Sequence, residues 1–274
     1  MRLPGRVLAT FVLLVAGCER EDSGLDPAYR EPRVDAFLYK VEYYDGSLEY
    51  STYIEVFDEV GLRMVPVVRL NGGEVPVYYY SPSLYRYGHE EPFAVGQRYE
   101  LEIDHYWGRA FSRLVMPGDF SLTAPDSDYV MGLESTLVVT WRSSPRAQWY
   151  WVDLYCDFDY YDTLLHWDDY SFNLDTLVPD TFLVVPPERV FPGYVMELIE
   201  GDGSALVWAG NGPPVEPGDV SNVRGAGFGF FSAANEPKER YFWVGAPWRA
   251  GHAPRTGPSR AKLEQRLRRS STAR

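Results

Sequence analysis

Two neighbouring stretches hold the residue types that could do chemistry. Asp157, Asp159, Asp162, Asp168 and Asp169 form the densest run of acids in the chain. Calcium takes about six to eight oxygen ligands, and carboxylates on one loop can supply several. The run lacks the glycine and closing glutamate that an EF-hand needs at fixed positions. A Ca2+ site at Asp157, Asp159 and Asp162 therefore stands beside the plainer expectation of a solvated, self-repelling loop. Just upstream, period-2 alternation points Tyr150, Val152, Leu154, Cys156 and Phe158 one way and Trp149, Trp151, Asp153, Tyr155 and Asp157 the other. Two indoles, a phenol and two carboxylates on one strand face suit a ligand-binding platform for sugar, with rings stacking and acids accepting hydroxyl hydrogen bonds. The competing expectation is that a second domain covers Trp149, Trp151, Asp153 and Tyr155.

Other chemistries find no support in the motifs. There is no G-x-S-x-G elbow, no H-E-x-x-H and no Walker A loop. His89, His105, His166 and His252 are scattered, with none paired at metal-ligand spacing. Gly225, Gly227 and Gly229 lack the spacing of a dinucleotide fingerprint, and no helical pattern follows them. They predict a strand whose bare face lies against another backbone, with a groove for an aromatic or sugar ring as the alternative. Cys156 alternates with Val152, Leu154 and Phe158, the pattern of a buried, inert thiol. No catalytic residue and no cofactor other than Ca2+ is expected.

The elements that must position these residues are strands. Aromatics make up 16% of the sequence, and tyrosine alone occurs 21 times, a composition that favours β structure. The formal charge is −13, unevenly spread. Residues 248–274 hold eight arginines and lysines against Glu264 alone, so the rest of the chain is more acidic than the total suggests. Such a body repels nucleic acid and anionic lipid. The Pro-, Gly-, Ser- and Arg-rich segment 252–274 reads as a basic disordered tail, with Leu263 and Leu267 four apart in a short stretch able to turn helical.

At the other end, Arg2 and Arg6 precede an apolar run over residues 7–15, well short of the ~18 to 20 residues that span a bilayer. Leu14, Val15, Ala16 and Gly17 then lead into Cys18. This segment resembles the lipobox of bacterial lipoproteins. The resemblance implies cleavage of residues 1–17, acylation of Cys18, and a membrane partner reached through that lipid. With Cys18 lipidated, Cys156 has no disulfide partner. Glu19, rather than Asp, follows the cysteine, which by resemblance to enterobacterial sorting implies the outer membrane.

Residues 18–32 are polar, carry Gly24, Pro27 and Pro32, and predict a flexible tether. Short alternating runs follow. Asn71-Gly72-Gly73 between two β-rich runs predicts a hairpin, because the primed turn needs positive φ. Gly96 marks a turn, Tyr99, Leu101 and Ile103 one buried strand face, and 109–116 a further strand. Residues 33–118 resemble the Ig-like or transthyretin-like β-sandwiches of exported bacterial proteins. Further on, Leu137-x-Val139-x-Trp141, a loop through Pro145 and Tyr150-x-Val152-x-Leu154 resemble the start of a fibronectin type III domain, in which the indole packs on the strand opened by the tyrosine. Strands are also predicted at 181–185, at 194–200 paired with 204–209 through Gly201-Asp202-Gly203, and at 222–231. No convincing 3.6-residue period occurs before Pro254.

The expectation is thus all-β: a lipoprotein signal peptide (1–17), a tether (18–32), an Ig-like β-sandwich (33–118), a fibronectin type III-like β-rich domain (119–247) and a basic tail (248–274). The whole resembles surface lipoproteins found beside bacterial nutrient-uptake systems. That implies a membrane-anchored cell-envelope protein with a binding or structural role, partnered by an envelope protein or glycan and not by nucleic acid. The alternative is a carbohydrate-active or other hydrolase working through paired carboxylates.

Overall fold

Alternating apolar and polar residues, rich in valine, tyrosine and phenylalanine, build strands along nearly the whole of the computed structural model, which describes residues 31–57, 64–88, 91–214 and 221–245. The signal segment with Cys18, most of the tether, His89, His252 and the tail lie outside the described residues. In chain order the first strands are β1 (Arg33–Glu42), β2 (Leu48–Phe57), β3 (Val67–Leu70), β4 (Gly73–Glu74), β5 (Val77–Ser81), β6 (Leu84–Tyr87), β7 (Arg98–His105) and β8 (Gly108–Val115). Next come β9 (Leu122–Ala124), β10 (Val130–Met131), β11 (Leu137–Trp141), β12 (Trp149–Asp162), β13 (Trp167–Val178) and β14 (Phe182–Val185). A one-turn helix α1 (Pro187–Val190) precedes β15 (Val195–Asn211), β16 (Arg224–Gly225), β17 (Phe228–Glu236) and β18 (Arg240–Val244).

The fold is an all-β sandwich built on one ten-stranded sheet. Its path runs β10-β18-β15-β17-β1-β2-β6-β5, with β12 and then β13 added along the other side of β15. A five-stranded sheet (β16-β8-β7-β3-β4) and a three-stranded sheet (β14-β11-β9) accompany it. One core joins Val34, Leu38, Ile54 and Phe231 of the large sheet to Val68, Leu101, Ile103 and Leu114 of the five-stranded sheet. A second joins Val152, Leu154, Phe158 and Val207 to Leu122, Leu137, Val139, Trp141 and Val185 of the three-stranded sheet. Burying each such side chain contributes roughly 1.5–3 kcal/mol relative to leaving it in water.

Several local expectations match. Asn71 and Gly72 take φ of 51° and 80°, and Arg69 pairs with Glu74 across the turn. Tyr99, Leu101 and Ile103 are all buried. The Trp141 and Tyr150 rings lie 5.4 Å apart. Others need correcting. The strand after the Asn-Gly turn leaves its hairpin once Glu74 is passed, and after Pro76, which has no N–H for a ladder, the chain joins the large sheet as β5. Residues 222–231 are not one strand: the run breaks at Ala226 and Gly227, just after Gly225 at a φ of 85°, into β16 and β17. β17 then pairs in parallel with β1, and Val223, Phe231 and Ala233 complete the first core. Segment 119–247 thus contributes residues to both cores.

The largest departure is at Gly201-Asp202-Gly203. A turn was expected there, yet β15 runs straight through for 17 residues. A Cβ on Gly201 would lie 2.4 Å from the Asp157 carbonyl oxygen and 2.5 Å from Phe158 Cβ. One on Gly203 would lie 2.4 Å from the Phe242 ring. The glycines let β15 pass close to packed aromatics without leaving the ladder. Gly201→Ala should accordingly lower stability by about 1–3 kcal/mol, the usual cost of overpacking. Urea unfolding of the variant checks this, and an unchanged midpoint would contradict the close approach.

Candidate binding face

β12 organises the site. Its inward residues enter the second core, and Trp149, Trp151, Asp153, Tyr155, Asp157 and Asp159 share the opposite face. Pairing places more residues beside them. Across from β12, β13 sets Asp175 opposite Asp153, Ser171 opposite Asp157 and Asp169 opposite Asp159. On the other side, β15 sets Trp208 opposite Trp151, Leu206 opposite Asp153, Asp202 opposite Asp157 and Glu200 opposite Asp159. One end of this face is aromatic and the other is acidic.

The aromatic end continues onto β17 and β1. Trp151 and Trp208 pack with Phe37, Tyr39, Val41, Leu206 and Ala234, with Trp149, Tyr53 and Phe230 at the margin. The indole N–H of Trp208 donates to Glu236, that of Trp151 to Asp175, and that of Trp149 to the Gly212 carbonyl oxygen at 2.8 Å. Trp151 and Asp153 are only 8% and 4% exposed, and Trp149 and Tyr155 are half-buried. The open stacking platform expected of Trp149, Trp151, Asp153 and Tyr155 is therefore replaced by packed rings with tied indoles. Alternation put the four on one face correctly, but it carries no information on what buries them.

Glu236 is a strongly perturbed carboxyl of this face. It is 3% exposed, and burial pushes its carboxyl up to about 8; the Trp208 N–H pulls it down, while Glu239, Asp153 and Glu49 push it further up. Neither Glu236 nor its donor was legible as a site residue. Trp208 lay on what reads as a separate short strand, and Glu236 lay beyond the last predicted one.

The acidic end sets like charges directly across from one another: Asp157 with Asp202, and Asp159 with both Glu200 and Asp169. Such cross-strand pairs are destabilising. Burial raises the Asp159 carboxyl, and Glu200, Asp169 and Asp157 add to the rise. The acids sit on paired strands and not on the expected loop, because Phe158, Tyr160 and Phe172 alternate with them and are buried. β12, β13 and β15 contain no lysine or arginine.

Asp157, Asp159 and Asp162 are spread along β12, with Asp157 opposite Asp202 and Asp159 opposite Glu200. Register shifts after Asp159 and after Tyr161 divert Asp162, whose carboxylate accepts the backbone N–H groups of Leu164 and His166, both at 2.8 Å. Those bonds, His166 first, hold its pKa down. Among the described residues no three His, Cys, Asp or Glu side chains are placed to hold a metal ion. Cys156 is fully buried, and burial pushes its thiol up to about 12, which suits an inert core residue. His105 is buried, with Nε2 2.6 Å from the Ala226 carbonyl oxygen.

No family model matches the sequence, and no curated protein matches it. Among solved structures the chain is similar to fibronectin(III)-like modules of CbhA from Clostridium thermocellum, at 11% identity and a TM-score of 0.25, covering 82% of this chain and 100% of that one.

Glu236 makes stability depend on pH in a defined direction. Unfolded, it loses its proton near 4.5; folded, near 8. Between those values the folded state keeps a proton that the unfolded state has released, so stability falls as pH rises across the window. Glu236→Gln should match the parent near pH 4.5 and melt at a higher temperature by pH 8. Melting curves across this range decide it, and parallel declines in both proteins would refute the assignment.

Proposed function

We propose that the chain is a lipid-anchored, non-catalytic binding protein of the bacterial cell envelope, held at the outer membrane by Cys18, and that the acidic end of the β13–β12–β15 face is where it takes a cationic ligand. The carrying observation is the set of rows Asp157–Asp202 and Asp169–Asp159–Glu200 on strands without a basic residue. Like charges held this close gain most from a cationic partner. Trp167 and Tyr161 are exposed at the same end and suit cation–π contact with an ammonium or guanidinium. The anchor rests on the lipobox resemblance. Among the described residues no helix is long and apolar enough to cross a membrane.

A hydrolase reading would draw on Glu236, raised by burial beside Asp153. Both are buried, at 3% and 4% exposure, and offer a substrate no access in this conformation. The binding reading is therefore preferred.

Two measurements test it. Mass spectrometry of the native protein should find acylated Cys18 at the N-terminus, and Cys18→Ser should release the protein from membranes; an intact 1–17 segment would overturn the anchor. Titration with a labelled octalysine peptide should saturate and weaken roughly tenfold, equivalent to about 1.4 kcal/mol, in Asp157→Asn/Asp202→Asn. Equal affinity in that variant would remove the face from the proposal.

A further inference from the structure

We propose that the outer face of the five-stranded sheet binds an acidic oligosaccharide, one whose sugar rings carry carboxylates, through Arg98, Arg113, Arg146 and Arg224. This site draws on a different sheet from the acidic rows of β12, β13 and β15 and takes a ligand of the opposite charge.

Strand phase and register place the guanidinium groups. Tyr99, Leu101, Ala110, Ser112 and Leu114 are buried, so Arg98 and Glu100 of β7 and Phe111 and Arg113 of β8 point away from the first core. Arg98 pairs with Val115, Glu100 with Arg113, and Arg224 with Phe111. Arg98, Arg113 and Arg224 therefore stand on one diagonal across β7, β8 and β16, at the ~7–8 Å steps usual for diagonal neighbours. Phe111 lies beside that line and is 49% exposed.

Two adjoining grooves follow the diagonal. One, of about 630 Å³, runs from Arg98 and Glu100 past Phe111 and Arg113 to Arg224. The other, of about 580 Å³, shares Arg98 and Arg113 and continues to Arg146, Gln148 and Asn211, and no described residue lining it is acidic. Each is of a size that holds a small ligand. Arg146 is kept there in a conformation that a residue with a Cβ seldom takes, at a φ of 69°. Asn211 fixes it, donating to the Arg146 carbonyl oxygen at 2.8 Å while accepting the Val115 N–H at 3.3 Å, and so ties the loop to the end of β8.

Charge and shape narrow the ligand. Arg98 is bridged to Glu100 at 2.7 Å and Arg109 to Asp104 at 2.5 Å, but Arg113, Arg146 and Arg224 form no ion pair among the described residues. Guanidinium groups take carboxylates in bidentate pairs. An extended peptide is the weaker candidate, because peptides of that kind are held through backbone hydrogen bonds at a free sheet edge. Here β7 is paired on both sides, with β3 and β8, and β8 lies between β7 and β16. A sugar ring with a carboxylate brings its own anion for the arginines and an apolar C–H face for the Phe111 ring.

Hexagalacturonate is the probe, used with the full chain. It should shield Arg113, Arg146 and Arg224 from phenylglyoxal, read residue by residue in peptide mass spectra, and leave the exposed Arg189 reactive. Fluorescence anisotropy of the labelled probe should saturate, and affinity should fall roughly tenfold in Arg113→Gln/Arg224→Gln and in Arg146→Gly, as bidentate pairs are lost. All three side chains are exposed and glycine suits the φ at 146, so the variants should melt within a few degrees of the parent. Glu100→Gln should instead tighten binding, because it releases Arg98 and removes the acid opposite Arg113. Neutral cellohexaose should not compete. Absence of shielding at Arg113, Arg146 and Arg224 would overturn the proposal, as would unchanged affinity in both arginine variants. Equal competition by inorganic phosphate would mark a general anion surface, and equal competition by octaglutamate an acidic-peptide site; either overturns the assignment to a sugar. None of these results bears on the octalysine titration, whose substitutions lie on the other sheet.

Discussion

The continuous β15 strand is the constraint on which the rest of the molecule depends. One edge pairs with β12 along its length, and the other pairs with β18 near Asp202 and with β17 near Ala209. Because the strand does not break at Gly201-Asp202-Gly203, β12 pairs with β15 on both sides of that tripeptide. At Gly201 and Gly203 backbone and aromatic rings occupy the space the missing Cβ atoms leave, so the strand stays in its ladder only with glycine there.

The two cores are further tied by a polar junction. Lys40 of β1 reaches Asp119 at 2.5 Å, and Asn235 of β17 donates to the Gly118 carbonyl oxygen at 2.9 Å and to Asp119 at 3.0 Å. These groups hold the connection between β8 and β9 against the large sheet. Lys40 and Asn235 are buried, so each must keep its partner to remain satisfied. The junction fixes where one core ends and the next begins, a role that apolar contacts alone would leave loosely specified.

The two ends of the β13–β12–β15 face treat charge in opposite ways. The aromatic end buries rings and neutralises indole donors with carboxylates; the acidic end places like charges in register. The second arrangement costs stability at neutral pH, and the buried Phe158, Tyr160 and Phe172 on the reverse side offset it.

By itself the sequence determined what local physics controls. Period-2 alternation set the phase of β7, β11 and β12, and so placed Trp149, Trp151, Asp153, Tyr155, Asp157 and Asp159 on one face and Cys156 on the other. Asn71-Gly72 determined a turn because only positive φ closes it. Tertiary structure alone decided which strands meet and in what register. Alternation fixes which way a side chain points, but not which distant strand lies beside it. Val34 and Gly229 pair across most of the chain, Trp208 and Glu236 join the site only through long-range ladders, and the glycines of β15 are neither turn nor strand until Phe158 and Phe242 pack against them.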